Sequence, residues 1–519
     1  MLAAVLVLAG LFAGNAVREA RLVEVPHACD WFIFLRQAQL FQQAGPIGGL
    51  DTAIRDSNTR YLVAKAASLH LANPNWKVSA GPYCHVYHEA TDRLSIVSPP
   101  GTGLLLSLFP AGRQARLVFT TCSIAVLLSA VAAAISARRW TAVVAATALG
   151  ALCLTGLSKF SADWSIPGSA VLLMLAAYST VRTLEAPRAT SAVAWAALLG
   201  LALGCAVNFR IANILMVGGV AAAYGLLLLR GAWGPAIRLS AASALAFLAG
   251  VSPTLAANAL NSGNVLASTY GPDNTEALRL DAKTFLDGFQ FYFVQHQTDA
   301  GLILAPALAA LAALIYAGRS KLDNFALMGL AAALNIVINT TFFCFYQIHQ
   351  GYYPLPAAVF VSSLVAFAYI RSQNAEALAA PPAPAVAPGV RLACALGCLV
   401  AVAAPLALLP MPLSPNYARP QIAVTLPPRS IVWSGVSAGY FHIYLGRQAA
   451  VLWNLDPDSQ DRLIAAVARD GVPQYLVADV DAQDTLARLR RTATLRPAGT
   501  AFGRDVYQII LSPPPVAAP

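Results

Sequence analysis

The chain has 519 residues, 58% of them hydrophobic and only 11% charged, with a mean hydropathy of +0.61. Soluble domains carry about 25% charged residues, so this composition excludes an ordinary soluble protein and points to many membrane spans plus a smaller polar part. The net charge of +10 comes without any aromatic-and-basic RNA-binding pattern, so nucleic acid is excluded as a partner and the excess is assigned to cytoplasmic loops and lipid phosphates.

In chain order, charge-free apolar runs predict spans at roughly 2–20, 116–137, 141–158, 164–181, 190–208, 211–229, 239–259, 300–318, 324–344, 354–370 and 391–410. The first run resembles a signal peptide in its "FAGNA", but it lacks a basic start and is read as a retained helix. The stretch 324–370 contains no Asp, Glu, Lys or Arg, and "CFYQIHQGYYPLP" supplies the turn that divides it. Eleven spans are expected. With the N-terminus inside, Arg138 and Arg139, Arg182 and Arg188, Arg230 and Arg238, Arg319 and Lys321, and Arg371 and Arg391 all fall in cytoplasmic connections. Arg18 and Arg21 oppose this mildly. The expected location is the inner (cytoplasmic) membrane, multi-pass, with loops of about 22–115 and 260–299 and the C-terminal tail on the outer, extracytoplasmic side.

The tail, from about 414 to 519, reads as a small α/β domain. "RSIVWSG", "AAVLW", "QYLVADV" and "DVYQIIL" are expected strands, and "DSQDRLIAAVARDG" a helix with Asp458 or Ser459 near its start and Gly471 past its end. It has no glycine-rich phosphate loop and no His/Cys ligand cluster, so an accessory role is expected, in acceptor docking or shielding the outer face. The Ala/Pro-rich "AEALAAPPAPAVAPG" reads as a linker. The fold class is thus an α-helical polytopic membrane protein, residues 1–413, with a C-terminal α/β domain.

Cys122, Cys153, Cys205, Cys394 and Cys398 lie in or at spans and read as packing residues. Cys29 and Cys84 share the first outer loop, where they are either a disulfide or two thiols.

That loop is long enough to expect function from it. From Trp31 the residues Trp31, Phe34, Leu35, Ala38 and Phe41 fall on one helical face, with Arg36, Gln37 and Gln39 elsewhere, which predicts an interfacial helix beginning at Asp30. Asp30 is then either its N-cap or a general base at the membrane surface. "CHVYHEATD" gathers Cys84, His85, His88, Glu89 and Asp92, but His-x-x-His-Glu is no defined zinc motif, and a solvated loop is the plainer reading. Arg210, in "NFRIAN", stands where one outer span end meets the next, and is either a phosphate-binding cation or a snorkelling loop arginine. Lys159, with Asp163 nearby, is a second cation or half of a surface pair. Tyr270, Asp273 and their neighbours occupy the second outer loop, either a closing segment or a solvated hairpin. His349 reads as a structural histidine or a site residue.

The ordered set "SPPGTGLLLSLFPAG", "GCAVNFRIANILM", "SPTLAANALNSGNVLASTYG" and "QIHQGYYPLPAAVF" resembles the GT-C glycosyltransferases that use polyprenyl-phosphate sugars, and is similar to protein O-mannosyltransferases and lipid A aminoarabinose transferases over residues 1 to about 413. The resemblance implies a glycosyltransferase moving a sugar from a polyprenyl-phosphate donor to a glycan, lipid or protein acceptor. It implies Asp30 as the catalytic base, with Arg210 and Lys159 at the donor phosphate. Glu89, Asp92, Tyr270, Asp273, His349, Tyr352 and Tyr353 are the candidate substrate contacts. Two departures stand out: a lone acid where several members have two, and Tyr352-Tyr353 where many have Arg-Tyr. The missing second acid leaves no cofactor expected, with a divalent metal still open. The competing classes are a transporter or flippase for a lipid-linked substrate, and a catalytically inactive GT-C relative. The near absence of charge within the spans favours interfacial chemistry over passage. Sugar identity, acceptor, linkage and oligomeric state are not encoded in any motif found.

Overall fold

The computed structural model describes residues 1–21, 29–71, 76–79, 81–82, 84–159, 163–186, 188–267, 278–295, 297–317, 324–346, 349–379, 422–435, 437–445, 447, 449–452, 455–479 and 482–511. In chain order the helices are α1 Leu2–Arg21, α2 Cys29–Gly48, α3 Ser57–Ser68, α4 Trp76–Ser79, α5 Gly101–Ser107, α6 Gln114–Ser136, α7 Trp140–Lys159, α8 Ser165–Glu185, α9 Ala189–Val207, α10 Met216–Leu229, α11 Trp233–Ser262, α12 Ala282–Gln290, α13 Gln297–Ala317, α14 Asn324–Cys344, α15 Leu355–Ala379, α16 Ala438–Leu445, α17 Pro457–Arg469 and α18 Gln483–Thr492. A 3₁₀ turn, Ile211–Leu215, leads into α10, and a π turn, Phe291–Gln295, leads toward α13. The strands are β1 His85–His88, β2 Arg93–Ile96, β3 Ile431–Ser434, β4 Ala450–Val451, β5 Gln474–Val477, β6 Ala493–Ala501 and β7 Arg504–Leu511.

Helices occupy ten of the eleven expected spans, and 391–410 lies outside the described residues. Among the described residues seven helices are long and apolar enough to cross a membrane, within α6, α7, α9, the 3₁₀ turn with α10, α11, α14 and α15. Among the described residues, Leu2–Val17 and Ile303–Tyr316 are two shorter apolar helical lengths. The helix α8 is less apolar, with Ser, Thr, Tyr and Arg182 on its length, and it is among the more buried helices. The chain is a multi-pass, mostly helical membrane protein with a small C-terminal sheet region.

The chain divides into two compact units. The first comprises Met1–Leu22, Phe109–Thr254 and Thr275–Pro412. Its core is a continuous cluster built from α1, α6 to α10 and α13 to α15, with Leu8, Leu127, Leu154, Leu173, Leu199, Phe360 and Leu364 almost fully enclosed. Small residues let these helices close up: a Cβ on Gly200 or Gly204 of α9 would overlap the backbone of α11.

The second unit comprises Val23–Leu108, Leu255–Asn274 and Leu413–Pro519. Its five-stranded sheet has the order β4-β3-β5-β7-β6, with β3 parallel to β4 and β5, and β7 antiparallel to β5 and β6. The strand β6 and the helices α16 and α18 were not foreseen, since "ATLRPAGTA" carries Pro and Gly and alternates poorly. The helix α17 has Asp458 and Ser459 in its first turn, as expected, and is capped by Asp456, whose Oδ1 accepts from the Ser459 amide at 2.9 Å. Pro457 suits the first helical position. Gly471 ends the helix at φ +66.

One apolar cluster joins α3 and α4 of the first long loop to the sheet: Leu62, Val63, Ala66, Leu71 and Trp76 pack with Ile431, Trp433, Leu463, Ile464, Leu476 and Ile509. Lys65 and Tyr61 of α3 both reach Asp470, at 2.5 and 2.7 Å. The tail therefore shares its core with the first long loop.

Candidate functional site

In the first unit, the site grows from the meeting of α8 and α9. These consecutive helices run antiparallel against each other, so the start of α8 and the end of α9 come together. Asp163 stands one residue before the N-cap Trp164 of α8: its Oδ1 accepts from the Ser165 amide at 2.9 Å and from Ser165 Oγ at 2.5 Å. Its Oδ2 accepts from Arg210 Nη1 at 2.5 Å, and the same nitrogen lies 3.3 Å from Ser165 Oγ. Arg210 is locally extended, φ −148, between two asparagine locks. Asn208 donates to the Gly250 carbonyl at 2.7 Å, and Asn213 donates to the Ala206 carbonyl at 2.8 Å and to Ser169 Oγ at 3.0 Å. The "NFRIAN" stretch is thus a fixed loop that holds one cation in place.

Arg210 also lies over two rings, 5.2 Å from the Tyr352 centroid and 5.3 Å from that of Tyr353. The two tyrosines pack edge to face at 5.0 Å, and Tyr353 stacks on Phe343 at 5.2 Å. Nearby, His349 lies between Phe291 at 5.4 Å and Tyr292 at 5.9 Å. Gly288 permits this, since a Cβ there would sit 2.6 Å from His349 Nε2. That nitrogen is buried with no hydrogen-bond partner among the described residues. Burial pushes the His349 imidazole below its ordinary value, with Asp287 and the Cys344 carbonyl acting against it. Burial likewise pushes the Tyr292 phenol well up, and Tyr292 donates to the Gln350 carbonyl at 3.3 Å. Of the expected site residues, Arg210, His349, Tyr352 and Tyr353 gather in this one region. Asp163 pairs with Arg210, because Asp163 stands at the start of α8 where α9 ends; the Lys159 side chain, expected near Asp163, lies outside the described residues.

In the second unit, α2 does not have the single apolar face of an interfacial helix: Trp31 to Ala38 are all buried, Arg36 and Gln37 included. Arg36 Nη1 lies 2.7 Å from His85 Nε2. A guanidinium offers only donors, so Nε2 accepts, and His85 is the neutral tautomer with its proton on Nδ1. Desolvation pulls Arg36 down to about 10, with Asp56 and Asp51 acting against it. Gln37 donates to the Ser98 carbonyl at 3.3 Å. A small cavity of about 20 Å³, room for one water, is lined by Gln37, Ser95, Ser98 and Asn261 together with apolar groups such as Ile96 and Pro99, and Gln37 Oε1 and Ser95 Oγ have no hydrogen-bond partner among the described residues. Asn261 fastens its own segment to the loop, accepting from the Thr52 amide at 3.1 Å and donating to the Leu50 carbonyl at 2.8 Å. This is the work of the asparagine in "ANALNSGN".

Helix α2 begins at Cys29, which places Asp30 in its first turn; the side chains of both lie outside the described residues. Cys84 is disulfide-bonded, whereas Cys122, Cys153, Cys205 and Cys344 are free. Glu89 and Asp92 belong to the exposed β1–β2 turn, where Glu89 pairs with Lys77 at 3.5 Å and Asp92 accepts from Tyr87 at 2.8 Å. They are not drawn toward a cavity. Tyr270 and Asp273 lie outside the described residues. Among the described residues, no three His, Cys, Asp or Glu side chains gather as a metal ion would require.

Sequence reasoning missed the roles of Asp163, Tyr292 and the Arg36–His85 pair. Asp163 was within reach: an acid opening one outer span end and a cation closing the next must meet if the two helices are antiparallel neighbours.

No protein-family model matches the chain, and no curated protein does. Solved structures do. ArnT from Cupriavidus metallidurans, in the apo state, is similar at 16% identity over 92% of this chain and 97% of that one, with a TM-score of 0.46. The same protein bound to undecaprenyl phosphate is similar at 14% identity over the same shares, with a TM-score of 0.45. The Archaeoglobus fulgidus oligosaccharyltransferase in the apo form is similar at 12% identity over 96% of this chain and 74% of that one, with a TM-score of 0.49.

Proposed function

We propose that the protein is a membrane glycosyltransferase of the GT-C kind, moving a sugar from a polyprenyl-phosphate donor to an acceptor at the outer face of the cytoplasmic membrane. The observation that carries this reading is Arg210, fixed between Asp163 and the faces of Tyr352 and Tyr353 at the end of an apolar helix. A lipid carrier keeps its tail in the bilayer and its phosphate at the head-group level, which is where such a helix ends. A planar guanidinium fork can serve a carboxylate and a phosphate together.

In the reaction, the acceptor hydroxyl oxygen attacks the anomeric carbon, and the bond from that carbon to the phosphate oxygen breaks. The leaving group is the polyprenyl phosphate, whose oxygen gains negative charge as the bond lengthens. A cation already oriented by Asp163 stabilises that charge more than it stabilises the bound donor, which is what lowers a barrier. Asp30 takes the hydroxyl proton as the new bond forms.

The test is incubation of the purified protein in lipid vesicles with a panel of polyprenyl-phosphate sugars and a mixed acceptor pool. Release of polyprenyl phosphate by the wild type, and its loss in Arg210→Ala, is expected. No release from any donor by a folded protein would overturn the reading.

A further inference from the structure

We propose that the C-terminal α/β region positions helix α2 through the close approach of Gly439 to Phe32, and so sets where Asp30 stands. This rests on the reading of Asp30 as the base. Gly439 lies in α16, and a Cβ added there would overlap both the ring and the Cβ of Phe32. Only glycine lets α16 come this near to α2. Phe32 is 6% exposed and stands two residues after Asp30 in the same helix. A shift or rotation of the first turn at Phe32 therefore carries Asp30 with it.

The glycine is itself held. Asp479, fully buried just past β5, accepts from Ser434 Oγ and the Gly435 amide, both at 2.8 Å, and from Ser437 Oγ at 2.5 Å and the Ser437 amide at 3.3 Å. The loop from β3 into α16 is thereby tied to the neighbouring strand. A second close approach steadies α2 farther along: a Cβ on Gly103 of α5 would overlap Gln37. Phe32 and Gln37 are about 7.5 Å apart along the helix axis, at 1.5 Å per residue. Two fixed points at that spacing define a helix's position and tilt. The α/β region is then part of the machinery that sets the geometry of the base, although it contributes no reacting group.

The full-length wild type, Gly439→Ala, Phe32→Leu and a control, Gly471→Ala, would be compared in vesicles for polyprenyl phosphate release across a donor titration. Gly471 has nothing within 4 Å of an added Cβ but sits at φ +66, so its substitution strains the backbone far from α2 in sequence. Gly439→Ala and Phe32→Leu are expected to lower turnover at saturating donor by about tenfold or more, since displacements near 1 Å cost about that much or more. Half-saturating donor concentration should stay unchanged. Gly471→Ala should lower Tm and keep turnover. Hydrogen exchange over residues 31–38 should quicken in Gly439→Ala and not in Gly471→Ala. Combined with Asp30→Asn, Gly439→Ala should add no further loss, because it acts through Asp30. If Gly439→Ala does not fold, Phe32→Leu decides alone. Turnover within twofold of wild type in both variants, or a loss that multiplies with that of Asp30→Asn, overturns the proposal. A wild type that releases no polyprenyl phosphate overturns the function reading instead.

Discussion

The carboxylate of Asp163 holds the guanidinium of Arg210 at 2.5 Å across 47 residues of sequence, and both are largely buried, with side-chain exposures of 8% and 14%. The acid both orients the cation and opens the next helix, so each partner can be tested through the other.

Arg210→Ala should lower turnover at least tenfold and weaken donor binding, while Arg210→Lys should recover little, because an ammonium cannot fork between carboxylate and phosphate. Asp163→Asn can keep the bond from the Ser165 amide but leaves Arg210 buried and unbalanced, and should cost on the order of 3 kcal/mol of stability. Thermal unfolding and a donor titration check both. An Asp163→Asn protein as stable as wild type would mean the pair is not a buried one in the membrane.

Asp30→Asn should keep expression and thermal stability and lose about 10² to 10⁴ in turnover, the usual cost of a missing general base. Asn serves a helix start about as well as Asp, so a purely structural Asp30 would tolerate it. Near wild-type sugar transfer by Asp30→Asn would move the search for a base elsewhere.

The pH dependence of His349 has a definite sign. Its imidazole is held below 6.5 by burial, so the unfolded chain binds the proton more readily. Stability is then full above about 6.5 and falls as pH drops from there toward the folded value. His349→Gln should flatten the fall in Tm between pH 7.5 and 5.5. Parallel Tm curves for the two proteins would show that His349 is not the group responsible.

Removal of residues 415–519 should expose Leu62, Val63, Leu71 and Trp76, which pack on the sheet. Hydrogen exchange at 57–79 should lose its protection, and the truncated protein should be recovered poorly in detergent. A truncation with intact protection there would show that α3 and α4 hold their structure without the sheet.

Reporter fusions test orientation. A reporter that is active only in the cytoplasm should be silent when placed after Pro519, given how Lys and Arg sort among the loops.

The membrane helices were readable because hydrophobic length is a local property: 324–370 has no charge, and α14 and α15 appear on either side of the predicted turn. Arg210 was readable as a candidate because a cation at a span end is conspicuous. Its pairing with Asp163 was not, since pairing depends on which helices touch. The helix α2 was misread for the same reason. An apolar stripe with Arg and Gln opposite it predicts a bilayer surface, but Arg36 found His85 and Gln37 found Ser98, partners about 50 to 60 residues away. β6 escaped because its pairing with β7, and not its composition, makes it a strand.

The second unit draws on three stretches of chain, and its sheet is complete only when β7 has been made. Leu108 and Leu511 are about 400 residues apart, which at about 5–20 residues per second is at least 20 s of ribosome time. Throughout that interval the apolar side of α3 and the indole of Trp76 have no sheet to rest on. A newborn chain thus carries an unfinished hydrophobic surface while most of its helices are still being inserted. Assembly of this protein should depend on a holding chaperone on the side where the first loop emerges, and premature termination near the end of the message should be as damaging as the loss of a span.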